Sequence, residues 1–335
     1  MSAQSELSPL LFFETINAYQ RSEALKAAIE LDLFTAIAEG NETTAALAER
    51  CSASERGTRV LCDYLTILGF LSKQDSSYKL TPDSAAFLNR HSPAYMGSAV
   101  EFLLSPMLMQ GFSEMAAAVR KGGTVVGSTV APDNPIWVKF ARGMAGLMMP
   151  AAQMMAGLLD PEHDEPLRVL DIAAGHGRFG ITLAERNPQT EVTALDWAAV
   201  LEVAKENAAQ AGVSERYHTI AGSAFEVDFG TGYDIVLLTN FLHHFDPPTN
   251  ETLLRKVRAA LKDGGRVATL EFVPNADRIS PPPAAMFSFV MLVGTPAGDA
   301  YTFSELERMF ANAGFARSEL HPLPPTPESL VISYK

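Results

Sequence analysis

Acidic and histidine side chains stand at the ends of apolar runs in the second half of the chain. Asp171 ends the first of these runs, Asp196 ends the second, and Glu271 lies at the end of the fifth. The fourth run, residues 233–238, leads into the pair His243-His244. Because parallel strands of a doubly wound sheet present their carboxyl ends along one crevice, we expect these side chains to line the same edge. A histidine beside a carboxylate there has the equipment of a general base.

A glycine-rich turn follows the first run, where residues 167–180 read L-R-V-L-D-I-A-A-G-H-G-R-F-G. Gly175, Gly177 and Gly180 fit G-x-G-x-x-G, which with Asp196 downstream is typical of dinucleotide sites. Asp171 opposes a pyrophosphate there, since like charges about 4 Å apart repel by about 4 kcal/mol at an effective dielectric near 20. S-adenosylmethionine instead offers an ammonium group, which a carboxylate attracts. The motif therefore favours S-adenosylmethionine over a dinucleotide.

The chemistry that suits this edge is methyl transfer from a sulfonium to a hydroxyl, which needs alignment, a base and a dry site. We predict that His243 is the base and that Glu271 holds its other ring nitrogen, as the acid of a catalytic triad does. Alternatively, both histidines are structural and cap the start of the next helix. No carboxylate cluster with ligand spacing accompanies His243, so no metal is expected.

The ordered set of strand, loop and helix signals resembles a class I S-adenosylmethionine-dependent methyltransferase. More narrowly, it is similar to the bacterial relatives of plant caffeic-acid-type and hydroxyindole O-methyltransferases, and the similarity covers nearly the whole chain. It implies O-methylation of a small, apolar, aromatic secondary metabolite. Residues 240–245 resemble the family's segment with a catalytic histidine followed by Asp-Trp, from which His244 and Phe245 depart. The second acid that flanks this histidine would fall on Ala300, with Asp299 beside it.

The resemblance also implies which residues contact the cofactor. The two loop glycines let the backbone approach the methionyl end, Asp196 accepts the ribose hydroxyls, and Trp197 packs on the adenine. Ser223 stands where the family has an aspartate, and Thr239 replaces a basic residue. The full predicted set is Asp171, Gly175, Gly177, Asp196, Trp197, Ser223, Ala224, Phe225, Thr239 and Asn240. His176, inside the loop, either touches the cofactor or faces solvent.

Two apolar helical segments are predicted to form the substrate pocket. Their candidate residues are four positions apart and so share a helix face. Packing in the core is the alternative role for such side chains, although methionine also lines adaptable apolar pockets. In the family that this chain resembles, methionine-rich segments at these places sandwich an aromatic acceptor. The predicted pocket residues are Phe140, Met144, Met148, Phe287 and Met291, together with His244.

Composition limits the partners and the compartment. The chain has 335 residues, a net charge of -13 and no basic run, which disfavours nucleic acid and anionic membranes. Its two cysteines, Cys51 and Cys62, form no metal-ligand pattern and fit a reducing compartment. No signal peptide and no window of roughly 20 apolar residues is seen. We expect a cytoplasmic protein that binds a small-molecule acceptor.

Three segments are predicted. Residues 1–95 form a mainly α winged-helix dimerisation domain, 96–160 a helical bridge that lines the substrate pocket, and 161–335 an α/β, doubly wound, Rossmann-like methyltransferase domain. In the first, helices over 43–50 and 58–70 precede a two-stranded wing over 72–81. A DNA reader needs cations on its second helix, but Arg59 is offset there by Asp63. The segment is therefore interpreted as a homodimer scaffold. In the third, a helix over 249–261 is predicted to end at a glycine cap, Asp263-Gly264-Gly265.

Other functions fit parts of the sequence. A C- or N-methyltransferase acting on a similar small molecule would keep the cofactor and change the acceptor atom. A non-methylating enzyme of the same fold would keep the bound cofactor only. A ligand-responsive DNA-binding protein would explain the winged helix, and a dehydrogenase would explain the glycines.

Overall fold

The computed structural model describes residues 7–160 and 165–335. Contacts divide the chain into two compact units, with the boundary between Leu104 and Ser105. This boundary falls within the predicted bridge of residues 96–160. The predicted start of the methyltransferase domain at residue 161 lies outside the described residues. The two boundaries between the three predicted segments therefore stay predictions.

The first unit is mainly helical. Its elements are α1 (Leu10–Ile16), α2 (Tyr19–Glu30), α3 (Leu33–Ala38), α4 (Thr44–Arg50), α5 (Glu55–Ile67), β1 (Leu71–Gln74), β2 (Ser77–Leu80), α6 (Pro82–Phe87) and α7 (Val100–Leu103). The Thr43 hydroxyl accepts the Ala46 N–H at 3.3 Å and so caps the start of α4. The Ser54 hydroxyl caps α5 in the same way. β1 and β2 pair antiparallel, which completes the winged-helix arrangement.

The core of the first unit includes Leu33, Phe34, Leu47, Leu65 and Tyr78, all almost fully buried. On the surface of α5, Arg59 Nη1 lies 3.0 Å from Asp63 Oδ2, so the carboxylate that offsets this cation is also its ion-pair partner. Helix α1 differs from the core helices because it has no buried residue. Its apolar side chains Leu10, Leu11, Phe12, Phe13 and Ile16 are all more than half exposed.

The second unit alternates strands and helices. Its elements are α8 (Pro106–Ser113), α9 (Met115–Lys121), α10 (Ile136–Leu159), β3 (Arg168–Ile172), α11 (Arg178–Arg186), β4 (Glu191–Asp196), α12 (Ala198–Gln210), β5 (Tyr217–Ala221), β6 (Tyr233–Thr239), α13 (Pro247–Ala260), β7 (Leu261–Glu271), α14 (Pro282–Ala285), α15 (Phe287–Gly294), α16 (Phe303–Asn312), β8 (Arg317–Pro322) and β9 (Ser329–Tyr334). Among the described residues, no helix combines the length and the apolar character needed to cross a bilayer.

Seven strands of the described chain form one mixed sheet in the order β5-β4-β3-β6-β7-β9-β8. The first five strands in this order are parallel, and β9 pairs antiparallel with both β7 and β8. The order reverses beside β3, where β4 lies on one side and β6 on the other. This reversal is the switch point at which doubly wound sheets bind ligands. The sheet is thus the α/β Rossmann-like fold that the sequence predicts.

The start of β7 corrects one local prediction. Helix α13 ends at Ala260, and β7 begins directly at Leu261. Gly264, with φ of 77°, therefore lies within the irregular start of the strand, where the β6–β7 register shifts. The glycine pair was predicted to cap the helix, and that prediction was wrong. A glycine with positive φ suits a strand irregularity as well as it suits a helix end.

Candidate active site

The register of the parallel strands brings the predicted site residues to one edge of the sheet. Ile172 pairs with Leu195 on one side and with Leu238 on the other, and Thr239 pairs with Leu270. Each strand then ends within one or two residues of these pairs. The loops that carry the glycines, Asp196, His243 and Glu271 consequently leave the sheet side by side.

The turn after β3 needs glycine at two positions. Gly175 and Gly177 have φ of 56° and 74°, in the left-handed region that side chains other than glycine rarely adopt. A Cβ on Gly177 would also lie 2.5 Å from the Tyr217 hydroxyl oxygen. The turn is therefore built from bare backbone, which leaves room for a ligand group to approach the start of α11.

Asp171 is completely buried behind this turn. Its Oδ2 accepts the Gly180 N–H at 3.2 Å, and its Oδ1 has no hydrogen-bond partner within the described part of the chain. Burial raises the pKa of Asp171 to about 7, and the charge of Asp196 adds to the rise. In this structure the carboxylate thus supports the start of α11. Its predicted direct contact with the cofactor stays a prediction.

Asp196 ties the end of β4 to the glycine turn. Its Oδ2 accepts the Gly175 N–H at 2.8 Å and its Oδ1 accepts the Trp197 N–H at 2.7 Å. Burial raises the pKa of Asp196 to about 6, and the two backbone hydrogen bonds oppose the rise. Trp197 is half-buried and packs against a small cluster that includes Val200 and Trp137. The carboxylate predicted for the ribose therefore adjoins the glycine turn, and the residue predicted for the adenine follows it in the chain.

The remaining predicted cofactor residues lie in the next two loops. The Ser223 hydroxyl accepts the Phe225 N–H at 3.3 Å, and Ala224 between them is buried. Phe225 is partly exposed, and its ring packs edge-on against Phe245 at 5.0 Å.

Thr239 is buried at the end of β6, and Asn240 follows with φ of 53°. Asparagine tolerates this left-handed conformation better than most residues. The Asn240 Oδ1 atom is buried and has no partner among the described residues. The chain therefore turns sharply just before the two histidines.

Glu271 organises the turn that carries His243. Its Oε1 accepts the backbone N–H groups of Phe241, Leu242 and His243 at 3.1, 2.8 and 3.3 Å. Its Oε2 lies 2.5 Å from His243 Nδ1. Both side chains are almost fully buried. The structure thus brings together the histidine and the carboxylate that the sequence predicts as a pair.

His244 lies beside His243 but has no carboxylate partner within residues 7–160 and 165–335. The two imidazole rings are 4.3 Å apart between centroids, and the His244 ring packs edge-on against Trp137 at 5.2 Å. Its Nδ1 is buried without a partner in the described residues. Burial, together with the charge of His243, holds the pKa of His244 well below its usual range. His244 therefore stays neutral and contributes an aromatic ring between His243 and Trp137.

The two predicted pocket segments flank the histidines. Phe287 on α15 packs edge-on against the His243 ring at 4.8 Å. On α10, Met148 Sδ lies 4.0 Å from Asn240 Nδ2. The predicted pocket residues on α10 and α15 also include Phe140, which is half-buried, and Met144 and Met291, which are buried. Their role toward a substrate stays a prediction.

Asp299 does not pair with His243 in this structure. Its Oδ2 accepts a hydrogen bond from Arg278 Nη1 at 3.1 Å, and Ala300 beside it is fully buried. Within residues 7–160 and 165–335, no group of three or more His, Cys, Asp or Glu side chains is arranged to hold a metal ion.

The sequence analysis left His176 open between contact with the cofactor and exposure to solvent. The side chain is 1 % exposed, which rules out the solvent-facing alternative. Its ring stacks on Phe140 with centroids 5.9 Å apart and an interplanar angle of 15°. The sequence could not predict this contact, because no spacing rule links a loop to a helix residue 36 positions upstream.

Comparison with known proteins agrees with this geometry. The profile of the O-methyltransferase domain matches residues 112–316, and that of the O-methyltransferase dimerisation domain matches residues 13–90. The chain belongs to this O-methyltransferase family. The family resemblance predicted from the sequence is therefore confirmed, and the enzyme is a methyltransferase that uses S-adenosylmethionine.

Three relatives illustrate the similarity. A protein of Nostoc punctiforme, described as a candidate O-methyltransferase, has a crystal structure with 58% identity and a TM-score of 0.95 over 99% of this chain and 100% of that one. The 3-hydroxy-5-methyl-1-naphthoate 3-O-methyltransferase of Streptomyces sahachiroi is 29% identical, over 91% of this chain and 89% of its own. The S-adenosyl-L-methionine-dependent methyl transferase PigF of a Serratia strain is 26% identical over 94% and 92%. Its structure with SAH has a TM-score of 0.86 over 98% of this chain and 100% of that one.

Proposed function

We propose that this chain transfers a methyl group from S-adenosylmethionine to a hydroxyl of a small, mostly apolar, aromatic secondary metabolite, without a metal, and that His243 is the general base. The observation that carries the proposal is the 2.5 Å contact between His243 Nδ1 and Glu271 Oε2 at the ligand-binding edge of the sheet. The bound cofactor supplies the electrophilic methyl group.

Glu271 fixes the tautomer that a base requires. With Nδ1–H donated to the carboxylate, the free lone pair of the imidazole lies on Nε2, the atom that would take the hydroxyl proton. The imidazolium that forms is then stabilised by the adjacent carboxylate. The three backbone N–H groups on Oε1 hold Glu271 and the turn of His243 in register. Glu271 is thus a positioning residue.

Proton removal must accompany the displacement. A phenol with a pKa of about 10 and a histidine with one of about 6.5 differ by roughly 4.8 kcal/mol, which opposes a complete transfer beforehand. A neutral hydroxyl therefore has to lie within hydrogen-bond reach of Nε2 while the methyl group moves.

The surroundings of His243 support an apolar, flat acceptor. Its ring meets Phe287 at 4.8 Å and His244 at 4.3 Å, and Trp137 continues this wall beyond His244. These aromatic rings present apolar surface and π-faces to a ligand, and they are not charged groups. We propose that Phe140, Met144, Met148 and Met291 complete the pocket.

The glycine turn and its neighbours fit the cofactor. Bare backbone at Gly175 and Gly177 leaves the start of α11 open to the amino-acid end, and Asp196 keeps acceptor capacity for ribose hydroxyls. We propose that Trp197 packs on the adenine with Phe225 and Ala224 nearby. Ser223, Thr239 and Asn240 complete the proposed cofactor set, with Asp171 acting from behind the turn.

We also propose that the enzyme is a homodimer. The chain carries the family's dimerisation domain, and α1 exposes five large apolar side chains. An exposed apolar stripe of this kind usually marks an interaction surface. Sedimentation at micromolar concentration should show a dimer, and a monomer would contradict this part of the proposal.

The test is transfer of labelled methyl from S-adenosylmethionine into a panel of phenols, hydroxyindoles and extract of the producing cells. Wild type is compared with His243→Ala and with His244→Ala as the matched control. We expect an extractable labelled product from wild type, a loss of about a hundred-fold or more in His243→Ala, and a much smaller loss in His244→Ala. Mass spectrometry of the product then locates the methyl group on oxygen, carbon or nitrogen. Full rate in His243→Ala would end the assignment of the base.

A further inference from the structure

His176 is a buried histidine that the proposed reaction does not use. It lies between the two glycines of the turn, and its ring packs against both Phe140 and Phe179, with centroids 5.9 and 5.7 Å away. Its backbone carbonyl accepts a hydrogen bond from Asn207 Nδ2 at 2.8 Å. The residue is therefore held rigidly at the start of α11.

The hydrogen bonds of the ring define its protonation. Nδ1 accepts the Arg178 N–H at 3.1 Å, so this nitrogen carries no proton. Burial and the nearby charge of Arg178 lower the pKa of His176 to about 3, so the ring is neutral. The single ring proton consequently lies on Nε2. This N–H is buried and has no acceptor among the described residues.

A buried donor without an acceptor is costly unless a ligand or water completes it. The start of α11, which is nine residues long, adds the positive end of the helix dipole. The Arg178 guanidinium contributes a cation at the same place. All of these groups favour an anion. The cofactor has one anionic group, the carboxylate of its amino-acid end.

We propose that His176 Nε2–H donates a hydrogen bond to the carboxylate of the amino-acid end of S-adenosylmethionine, and that this contact selects cofactors that retain that end. The neutral ring makes the contact directional, since it offers one donor at a fixed position. The stack on Phe140 fixes the plane of the ring and so the direction of the N–H.

Binding of two cofactor analogues tests this contact without any methyl acceptor. S-adenosylhomocysteine has the amino-acid end, and 5′-methylthioadenosine lacks it. Two variants separate the ring nitrogens, because the Asn oxygen can replace Nδ1 as acceptor for the Arg178 N–H, whereas the Gln amide N–H can replace Nε2 as donor. Titration calorimetry gives the dissociation constants of wild type, His176→Asn and His176→Gln.

We expect His176→Asn to weaken binding of S-adenosylhomocysteine by about 10- to 100-fold, as for the loss of a hydrogen bond to a charged group. His176→Gln should restore most of the affinity, and 5′-methylthioadenosine should bind all three proteins alike. Equal losses for both ligands, or equal losses in both variants, would overturn the proposal and assign His176 to the support of the turn. Should His176→Asn fail to fold, His176→Phe keeps the ring stack and takes its place.

Discussion

Asp171 and Glu271 are buried carboxylates at the carboxyl ends of strands β3 and β7 of one sheet, yet their surroundings differ. Glu271 accepts three backbone N–H groups and contacts His243 Nδ1. Asp171 accepts one backbone N–H, and its other oxygen has no partner in the part of the chain that the structure describes. Hydrogen bonds replace the hydration that burial removes. Asp171 has one such bond, and burial raises its pKa to about 7. Two equally buried carboxylates at one edge of the sheet can therefore differ in how well the surrounding hydrogen bonds replace water.

The largest expected effect separates the two acids by activity. In Glu271→Gln the neutral amide cannot stabilise the imidazolium as the carboxylate does. Its NH₂ group can also point at the backbone N–H groups that donate hydrogen bonds to the carboxylate in wild type. We expect kcat to fall about a hundred- to ten-thousand-fold, while the affinity for S-adenosylhomocysteine stays near that of wild type. Asp171→Asn should lower kcat less than about tenfold. Steady-state rates with calorimetric binding measure both, and a larger loss in Asp171→Asn would reverse the comparison.

The second effect is the pH dependence of stability. Because the folded pKa of Asp171 lies near 7 and its ordinary value is 3.8, the folded protein binds this proton more tightly between these pH values. The associated stability is present below about pH 4 and lost as pH rises through 7, on the order of 4 kcal/mol at most. Asn cannot titrate. Relative to Asp171→Asn, the unfolding free energy of wild type should therefore decline from pH 4 to pH 8 in urea titrations. A constant difference between the two proteins would refute this.

The third expected effect comes from substituting two glycines, one packed against the turn of His243 and the other against Asp171. A Cβ on Gly298 would lie 2.2 Å from the His243 carbonyl oxygen, and one on Gly180 would lie 3.0 Å from Asp171 Oδ2 and 2.7 Å from Val192 Cγ1. Crowding of this kind costs about 1–3 kcal/mol. We expect Gly298→Ala to lower kcat about 5- to 100-fold with normal cofactor affinity, and Gly180→Ala to weaken S-adenosylhomocysteine binding instead. One variant should thus change kcat, and the other should change the dissociation constant of S-adenosylhomocysteine.

The smallest expected effect concerns Asp299. This acid stands next to Ala300, the position where the resemblance would place a second acid beside the catalytic histidine. The Asp299 carboxylate is partly exposed and pairs with Arg278, and surface pairs contribute less than about 1 kcal/mol. Asp299→Asn should change kcat less than threefold and leave the pH–rate profile in place. A shifted pH–rate profile would show that Asp299 acts on His243 and that Glu271 is not the only carboxylate that does so.

The strand order and the strand ends could be predicted because they depend on local signals. Apolar runs bounded by glycine and polar residues identify parallel strands, and the sheet rule then places their ends together. The contact between His243 and Glu271 follows from that rule, since β6 and β7 are neighbours. The same reasoning placed Asp196 at the glycine turn.

Other features depend on packing that no local pattern encodes. Asp171 is fully buried behind the glycine turn, where it accepts the Gly180 N–H, and no local pattern in the sequence indicates this depth. Gly264 has the same positive φ in a strand irregularity as in a helix cap, so its identity could not tell them apart. The enclosure of His176 depends on Phe140, which reaches the turn from a separate helix.

Helix α10 has a consequence for engineering. Phe140 stacks on His176 in the glycine turn, whereas Met148, eight residues or about 12 Å further along the same helix, reaches Asn240 beside the histidines. One helix thus contacts both the glycine turn and the turn that precedes the histidines. A library that varies Phe140 to reshape the proposed substrate pocket will also disturb the glycine turn, so selections for new acceptors should screen cofactor retention in the same round.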